Sequence, residues 1–432
     1  MKLPHNLSSL SFLVVGLGKS GIGSIALLRR QGAKVFATDD RPHDSTADFT
    51  FLSAQDAIAA KVDALIASPG VPLTHPVIAT AKGKGIPVLG EVELAYQFLQ
   101  GPVLATTGSN GKTTTTSLIG EMLKASGVPS QVGGNIGYAV TDMTISSRPL
   151  QWNVLEISSF QLESIDTFHP QIAAVLNVTP NHLDRHGDYD SYRAAKGRLF
   201  ENQKASDWAV LNQADPGSRS YSPGLASRVA WFQGEASQCN GETIELFGAP
   251  LMPISDVLLP GAHNLENVMA AAVVSSLAGA THHAIAQVAA TFKGVPHRLE
   301  FIRDWNGVKF YNDSKATSVD ASLKALAALA APLFVILGGK GKGASYAPLI
   351  PLLQQKAKAV LVIGEDTPNI EKDLKDAVKL VSLGDLASAI AHASSHASPG
   401  DTVLLAPACA SYDQFTSYEH RGNTFRDLVE AL

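Results

Sequence analysis

Short apolar runs, each closed by glycine or a polar turn and followed by a helical pattern, recur along the whole chain. They include SFLVVGLG, AKVFATDD, DALIASPG, PVLATTG, WNVLEISS, AAVLNVT, WAVLNQ, LFVILGG, AVLVIG and DTVLLAPA. Four to six mostly apolar residues are what a parallel strand buried on both faces requires. Their alternation with helices predicts an α/β protein built on mainly parallel sheets.

A chain of 432 residues is long enough for two to four domains, and three blocks stand out. Residues 1–94 open on the turn GLGKSG. Residues 95–295 bring a new strand and a second glycine-rich loop, and end after two helices. Residues 296–432 begin with LEFIRDWNGVKFYND, whose alternation predicts a hairpin.

Bulk properties narrow the function classes. With a net charge of −5 and no dense Lys/Arg run, a nucleic-acid partner has little electrostatic support. Two distant cysteines, Cys239 and Cys409, form neither a disulfide framework nor a zinc cluster. The best candidate for a membrane span, Ala325 to Gly339, is interrupted by Pro332 and reads as a helix end followed by a buried strand. The N-terminal run SFLVVG is too short for a signal peptide. A cytoplasmic protein without membrane insertion is expected.

Two glycine-rich turns carry the first chemical signals. Gly16, Gly18 and Gly21 fit G-x-G-x-x-G between a strand and a helix, with Asp39 ending the next strand. A tight turn, free N–H groups and a helix N-terminus suit any nucleotide diphosphate, so uridine and nicotinamide ligands both remain open. The second turn is TGSNGKTT, Thr107–Thr114, again between a strand and a helix. Its N–H groups suit a polyphosphate, Lys112 the terminal phosphates and the Thr113 hydroxyl Mg²⁺. Thr106 stands where the general phosphate-loop pattern has its first glycine.

Further along, Glu156 ends the strand WNVLE, a position facing the ligand crevice in α/β sheets. His182 follows another strand, and Lys196 lies in the helical run SYRAAKGRLF. Mg²⁺ takes few protein ligands and many oxygens. One carboxylate and one imidazole fit that demand. From the residues alone, Glu156 also reads as a surface carboxylate, His182 as a capping or core histidine, and Lys196 as a solvated helix lysine.

A series of motifs, in order, resembles the Mur ligases, which add amino acids to the peptidoglycan precursor. They are TGSNGKTT, GGNIG (133–137), LEISSFQLE (155–163), NVTPNHLDRHG (177–187), SYRAAKGRLF (191–200), HNLENVMAA (263–271), PHRLE (296–300), NDSKAT (312–317), LGGKGKG (337–343) and APACASYDQF (406–415). The phosphate loop without its first glycine is that family's form. NDSKAT and PACASYDQF place the chain with the members that add glutamate.

This resemblance implies three domains: a Rossmann-like N-terminal UDP-binding domain, a central P-loop ATPase-type domain and a Rossmann-like C-terminal domain that binds the acceptor. It implies ATP and two Mg²⁺ sites as cofactors, and UDP-N-acetylmuramoyl-L-alanine and D-glutamate as substrates, handled by a monomer. Gly108, Ser109, Asn110, Gly111, Lys112, Thr113, Thr114, Asn267, Arg298 and Asp313 would bind ATP. Thr113 and Glu156 would hold one Mg²⁺. His182 and Lys196, the latter as a carbamate, would serve the second. Gly18, Lys19, Ser20, Asp39, Arg41 and Gly70 would line the uracil and diphosphate end, with Asn135, Ser158 and Gln161 facing the sugar peptide. Lys315, Thr317, Lys342, Ser411 and Tyr418 would surround glutamate. Lys112, Glu156, His182, Lys196 and Arg298 would form the catalytic set.

Two positions depart from the family pattern. Asn181 precedes His182 where many relatives have an acid, and Tyr418 stands where Phe is familiar. The implied chemistry is attack of the alanine carboxylate on the ATP γ-phosphate, then attack of the glutamate amine on the acyl phosphate. The third block is expected to close over the second when ligands bind.

Overall fold

The computed structural model describes residues 2–341 and 343–432. It holds three sheets. The first is parallel, with strands β1 (Ser11–Val15), β2 (Lys34–Thr38), β3 (Thr50–Phe51), β4 (Ala64–Ala67) and β5 (Val88–Gly90) in the order β3-β2-β1-β4-β5. The order reverses between β1 and β4, so the loops after these two strands share the crevice where such sheets bind ligands. Those loops carry Gly16 and Gly70.

The second sheet contains β6 (Val103–Thr107), β7 (Ser130–Gly134), β8 (Trp152–Glu156), β9 (Ile172–Val175), β10 (Trp208–Asn212), β11 (Arg228–Phe232), β12 (Ser237–Asn240), β13 (Thr243–Leu246) and β14 (Ala249–Pro253). Their order is β14-β13-β12-β11-β10-β9-β6-β8-β7. Pairing is parallel from β7 to β12 and antiparallel from β12 to β14. β6 is central, flanked by β8 and β9. The residues that follow these three strands therefore converge at one end of the sheet.

The third sheet has β15 (Glu300–Trp305), β16 (Val308–Asn312), β17 (Leu333–Gly338), β18 (Ala357–Ile363), β19 (Leu380–Gly384) and β20 (Thr402–Leu405), ordered β15-β16-β20-β17-β18-β19. The expected hairpin is β15–β16, and the other pairs are parallel. The run from Ala325 to Gly339 is the end of the helix Val319–Ala328 followed by β17. Among the described residues no helix is long and apolar enough to cross a membrane.

By compactness the chain divides into two units, 1–292 and 293–432. The first two sheets belong to one unit because they share a core: Phe12, Val14 and Ile66 are continuous with Leu155, Val175 and Leu211. The helix Glu91–Tyr96 lies in that core and carries two buried carboxylates. Glu93 accepts hydrogen bonds from the N–H groups of Asp166, Thr167 and Phe168. Glu91 accepts one from the Thr141 N–H at 2.9 Å. Burial pushes the Glu91 carboxyl up to about 7.

Candidate active site

The loop Gly108–Gly111 leaves β6 and enters the helix Lys112–Ala125. Gly111 is left-handed (φ 81°) and an added Cβ would sit 2.2 Å from Asn267 Oδ1, so only glycine fits there. Asn267 comes from the helix Ala262–Leu277, and its Oδ1 also accepts from the Thr115 hydroxyl at 3.3 Å. The expected nucleotide-binding asparagine is thus packed onto the phosphate loop.

The segment after β9 fixes the same loop from the other side. The N–H of Ser109 donates to Asn177 O at 2.9 Å, and that of Asn110 to Asn177 Oδ1 at 2.8 Å. Ser109 Oγ accepts from the Thr179 N–H at 2.9 Å and lies 3.0 Å from the Tyr192 hydroxyl. Asn177, Thr179 and Tyr192 had no role in the sequence reading. Asn177 stands two residues past the end of the buried parallel strand β9, which is the signal the sequence offers for it.

Two lysines meet at Gly108. Lys112 Nζ donates to Gly108 O at 3.0 Å and to Ser109 O at 3.2 Å. Lys196 Nζ donates to Gly108 O at 2.9 Å and to the Thr107 hydroxyl at 3.3 Å. Lys196 is only 1% exposed, which removes the reading of a solvated helix lysine. Burial holds its pKa well below the ordinary lysine value, the Lys112 charge adds to this, and Glu156 opposes it.

Glu156, at the end of β8, is also buried, so it is no surface carboxylate. One of its oxygens accepts from the Asn135 side chain at 2.9 Å, joining a residue expected at the sugar-peptide end. Among the described residues its buried Oε2 has no hydrogen-bond partner, an arrangement that carries a penalty unless a cation or water completes it. Thr113 is buried in the first turn of the helix. Among the described residues no three His, Cys, Asp or Glu side chains gather into a metal site. One carboxylate and one hydroxyl still suit Mg²⁺, which keeps phosphate and water oxygens as its other ligands.

His182 precedes the short helix Leu183–His186 in a left-handed conformation (φ 53°). Its ring lies 5.0 Å from that of Phe160 and 6.3 Å from that of Tyr192. Asn181, the first departure, accepts a hydrogen bond from the His182 N–H at 3.0 Å. Ser158 and Gln161 form a reciprocal capping box on the helix Ser159–Leu162.

At the other turn, Asp39 Oδ2 accepts from the Leu17 N–H at 2.6 Å, and Oδ1 from the Arg41 N–H at 3.0 Å. Partial burial works to raise its pKa, but these two bonds and the nearby His43 and Arg41 outweigh it and lower the pKa. An added Cβ at Gly21 would lie 1.9 Å from Gly16 O, so that glycine lets helix and turn pack. Lys19 and Ser20 start the helix Lys19–Arg30, with Gly18 at its N-cap and open space beside it.

In the unit 293–432, Asp313 follows β16, and burial pushes its carboxyl up to about 6 against the pull of Arg298 and Lys315. The Thr317 N–H donates to Lys315 O at 2.8 Å, closing a tight turn. Arg421, 1% exposed, joins this turn to the segment after β20. It donates to Ser314 Oγ and Ser314 O at 2.9 Å each, to Cys409 O at 3.1 Å and to Ala410 O at 3.3 Å. The backbone preceding Lys315 and preceding buried Ser411 is thus held by one guanidinium, whose burial no sequence pattern announces. Tyr418, the second departure, packs edge-on to His297 at 6.2 Å. Burial and Glu419 push its phenol up to about 12, so it stays neutral. Lys342, expected at glutamate, lies outside the described residues.

Family models match three segments: a Mur ligase MurD-like N-terminal domain over residues 11–90, a Mur ligase middle domain over 106–275, and a Mur ligase glutamate ligase domain over 297–409. A protein of Solibacter usitatus named UDP-N-acetylmuramoylalanine–D-glutamate ligase is 51% identical, with 99% of each chain covered. One of the same name from Koribacter versatilis is 45% identical, with 97% of each covered. This chain belongs to the Mur ligase family. Its fold is likewise similar to that of a MurC from Thermotoga maritima (TM-score 0.59, 18% identity, 98% of this chain and 99% of that one). A MurF from the same organism, solved with ADP, gives a TM-score of 0.59 at 20% identity, covering 97% and 95%. As a Mur ligase it is an ATP-dependent ligase, and the nicotinamide reading of the GLGKSG turn falls away.

Proposed function

We propose that this Mur ligase joins D-glutamate to UDP-N-acetylmuramoyl-L-alanine through an acyl phosphate, in cytoplasmic synthesis of the peptidoglycan precursor. The observation that carries the chemistry is the cluster at Gly108: two lysines, a buried carboxylate with an unused oxygen, and a glycine-rich loop at a helix start. The name shared by full-length relatives supports the choice of substrates.

In this reading the alanine carboxylate attacks the γ-phosphorus of ATP and the bond to ADP breaks. The glutamate amine then attacks the acyl carbon and phosphate leaves. Anions must approach anions in the first step, so positive charge held at the loop lowers the barrier. Lys112 supplies it from the helix start. Mg²⁺, held by Thr113 and Glu156, and by His182 and Lys196 at a second site, would neutralise phosphate charge. A neutral Lys196 amine suits carbamate formation with CO₂: a C–N bond forms, one proton leaves, and the product is an oxygen ligand. Arg298, Asn267 and Asp313 serve the nucleotide.

The UDP end of the substrate uses Gly18, Lys19, Ser20, Asp39, Arg41 and Gly70, and its peptide end Asn135, Ser158 and Gln161. Lys315, Thr317, Lys342, Ser411 and Tyr418 serve glutamate, whose two carboxylates suit paired lysines. The residues fall into domains 1–94, 95–295 and 296–432, working as a monomer.

Substrate labelled with ¹⁸O in the alanine carboxylate tests the route. Label is expected in the released phosphate. Phosphate without label would rule out the acyl phosphate.

A further inference from the structure

Arg185 and Glu163 have no part in the chemistry above, yet they join its pieces. Arg185 stands three residues after His182, on the helix Leu183–His186. Its Nη2 donates to Glu163 Oε2 at 2.9 Å and to Val71 O at 3.2 Å, and its Nη1 to Gly70 O at 3.4 Å. The guanidinium lies 4.9 Å from the centre of the Phe160 ring. The other Glu163 oxygen is 3.4 Å from His186 Nδ1, and His186 Nε2 is 3.0 Å from Ser159 Oγ. Arg185 and Glu163 are mostly buried, with side chains 15% and 18% exposed.

The loop that Arg185 grips also backs the first glycine turn. Ser68 Oγ donates to Gly16 O at 2.7 Å, and Val71 Cγ2 lies 2.6 Å from where a Gly16 Cβ would be. One planar fork therefore ties together the loop at the UDP crevice, the helix Ser159–Leu162 behind Ser158, and the turn that holds His182. That turn is left-handed at a non-glycine residue, a conformation that persists only where neighbours hold it.

We infer that Arg185, braced by Glu163, is a positioning residue that sets the His182 turn in register with the UDP-binding loop, so that filling the UDP crevice places the catalytic turn. Lysine cannot replace it, because a point charge lacks the fork that reaches two carbonyls and a carboxylate together. The inference rests on the proposed site for the UDP substrate.

Two measurements on the full chain test it. In steady-state assays, Arg185→Ala is expected to lower kcat at least tenfold and raise KM for the UDP substrate. KM for ATP should stay within twofold, and Arg185→Lys should recover only a small part of the loss. Unchanged kcat and KM in folded Arg185→Ala, or full recovery with lysine, would overturn the inference. Amide hydrogen exchange of residues 180–187, with UDP as the probe, reads the coupling without turnover. UDP should slow exchange there in the wild type and not in Arg185→Ala. No UDP effect in the wild type would also overturn the inference. A UDP effect in a protein that ligates no glutamate would remove the proposed reaction and leave the coupling standing.

Discussion

The first unit contains two glycine-rich turns built alike, strand then turn then helix, and backed by different side chains. At Gly16–Gly21 a carboxylate, Asp39, accepts the Leu17 N–H and has its pKa lowered. At Gly108–Gly111 two lysines converge on one carbonyl, and the early N–H groups of the loop are already given to Asn177. The backbone device is common to both; the side chains around it select the ligand. A carboxylate at a turn accepts hydroxyl protons, as from a sugar or nucleoside, whereas the Lys112 cation at the helix start answers a polyphosphate.

The comparison breaks most visibly at the second turn. Lys112→Ala and Lys196→Ala are each expected to lower kcat by about 10²–10³-fold, the range for removing one group that stabilises developing charge. Only Lys196→Ala should regain activity with added short carboxylates, which replace the carbamate oxygens. Full activity in Lys196→Ala would remove that residue from the chemistry. At the first turn, Asp39→Ala should raise KM for the UDP substrate about tenfold, the effect of losing one charge-assisted bond, and leave KM for ATP unchanged. A change in KM for ATP instead would erase the distinction between the turns.

The smallest effect is on stability. Because the Asp39 pKa is depressed in the folded state, its charge stabilises the fold above the ordinary value of 3.8, and that contribution is lost as pH falls through the folded pKa. Asp39→Asn should therefore lower stability by about 1 kcal/mol near pH 7, with the difference from wild type vanishing in acid. Thermal unfolding at pH 7 and below pH 3.8 checks the sign; a difference that grows in acid would reverse it.

The same contrast explains what the sequence made legible. The ten apolar runs all became strands, because strands buried on both faces must be apolar throughout. The short strands β12 to β14 carry SQCN, TIEL and APLMP at a sheet edge, where half-exposure removes that signal. The phosphate loop was legible because glycine, lysine and threonine at fixed spacing have few other uses. The burial of Lys196 was not, since a helix lysine reads the same whether solvated or enclosed. Nor were Arg185 and Arg421, whose partners lie on segments distant in sequence and meet only through sheet order.

The most direct measurement is phosphate release from ATP with UDP-muramoyl substrates and a panel of D- and L-amino acids. Release that requires UDP-N-acetylmuramoyl-L-alanine and D-glutamate together, and disappears in Lys112→Ala, is the predicted result. Release that ignores the UDP substrate, or that follows another amino acid, would contradict the assignment of the two turns to one ligation.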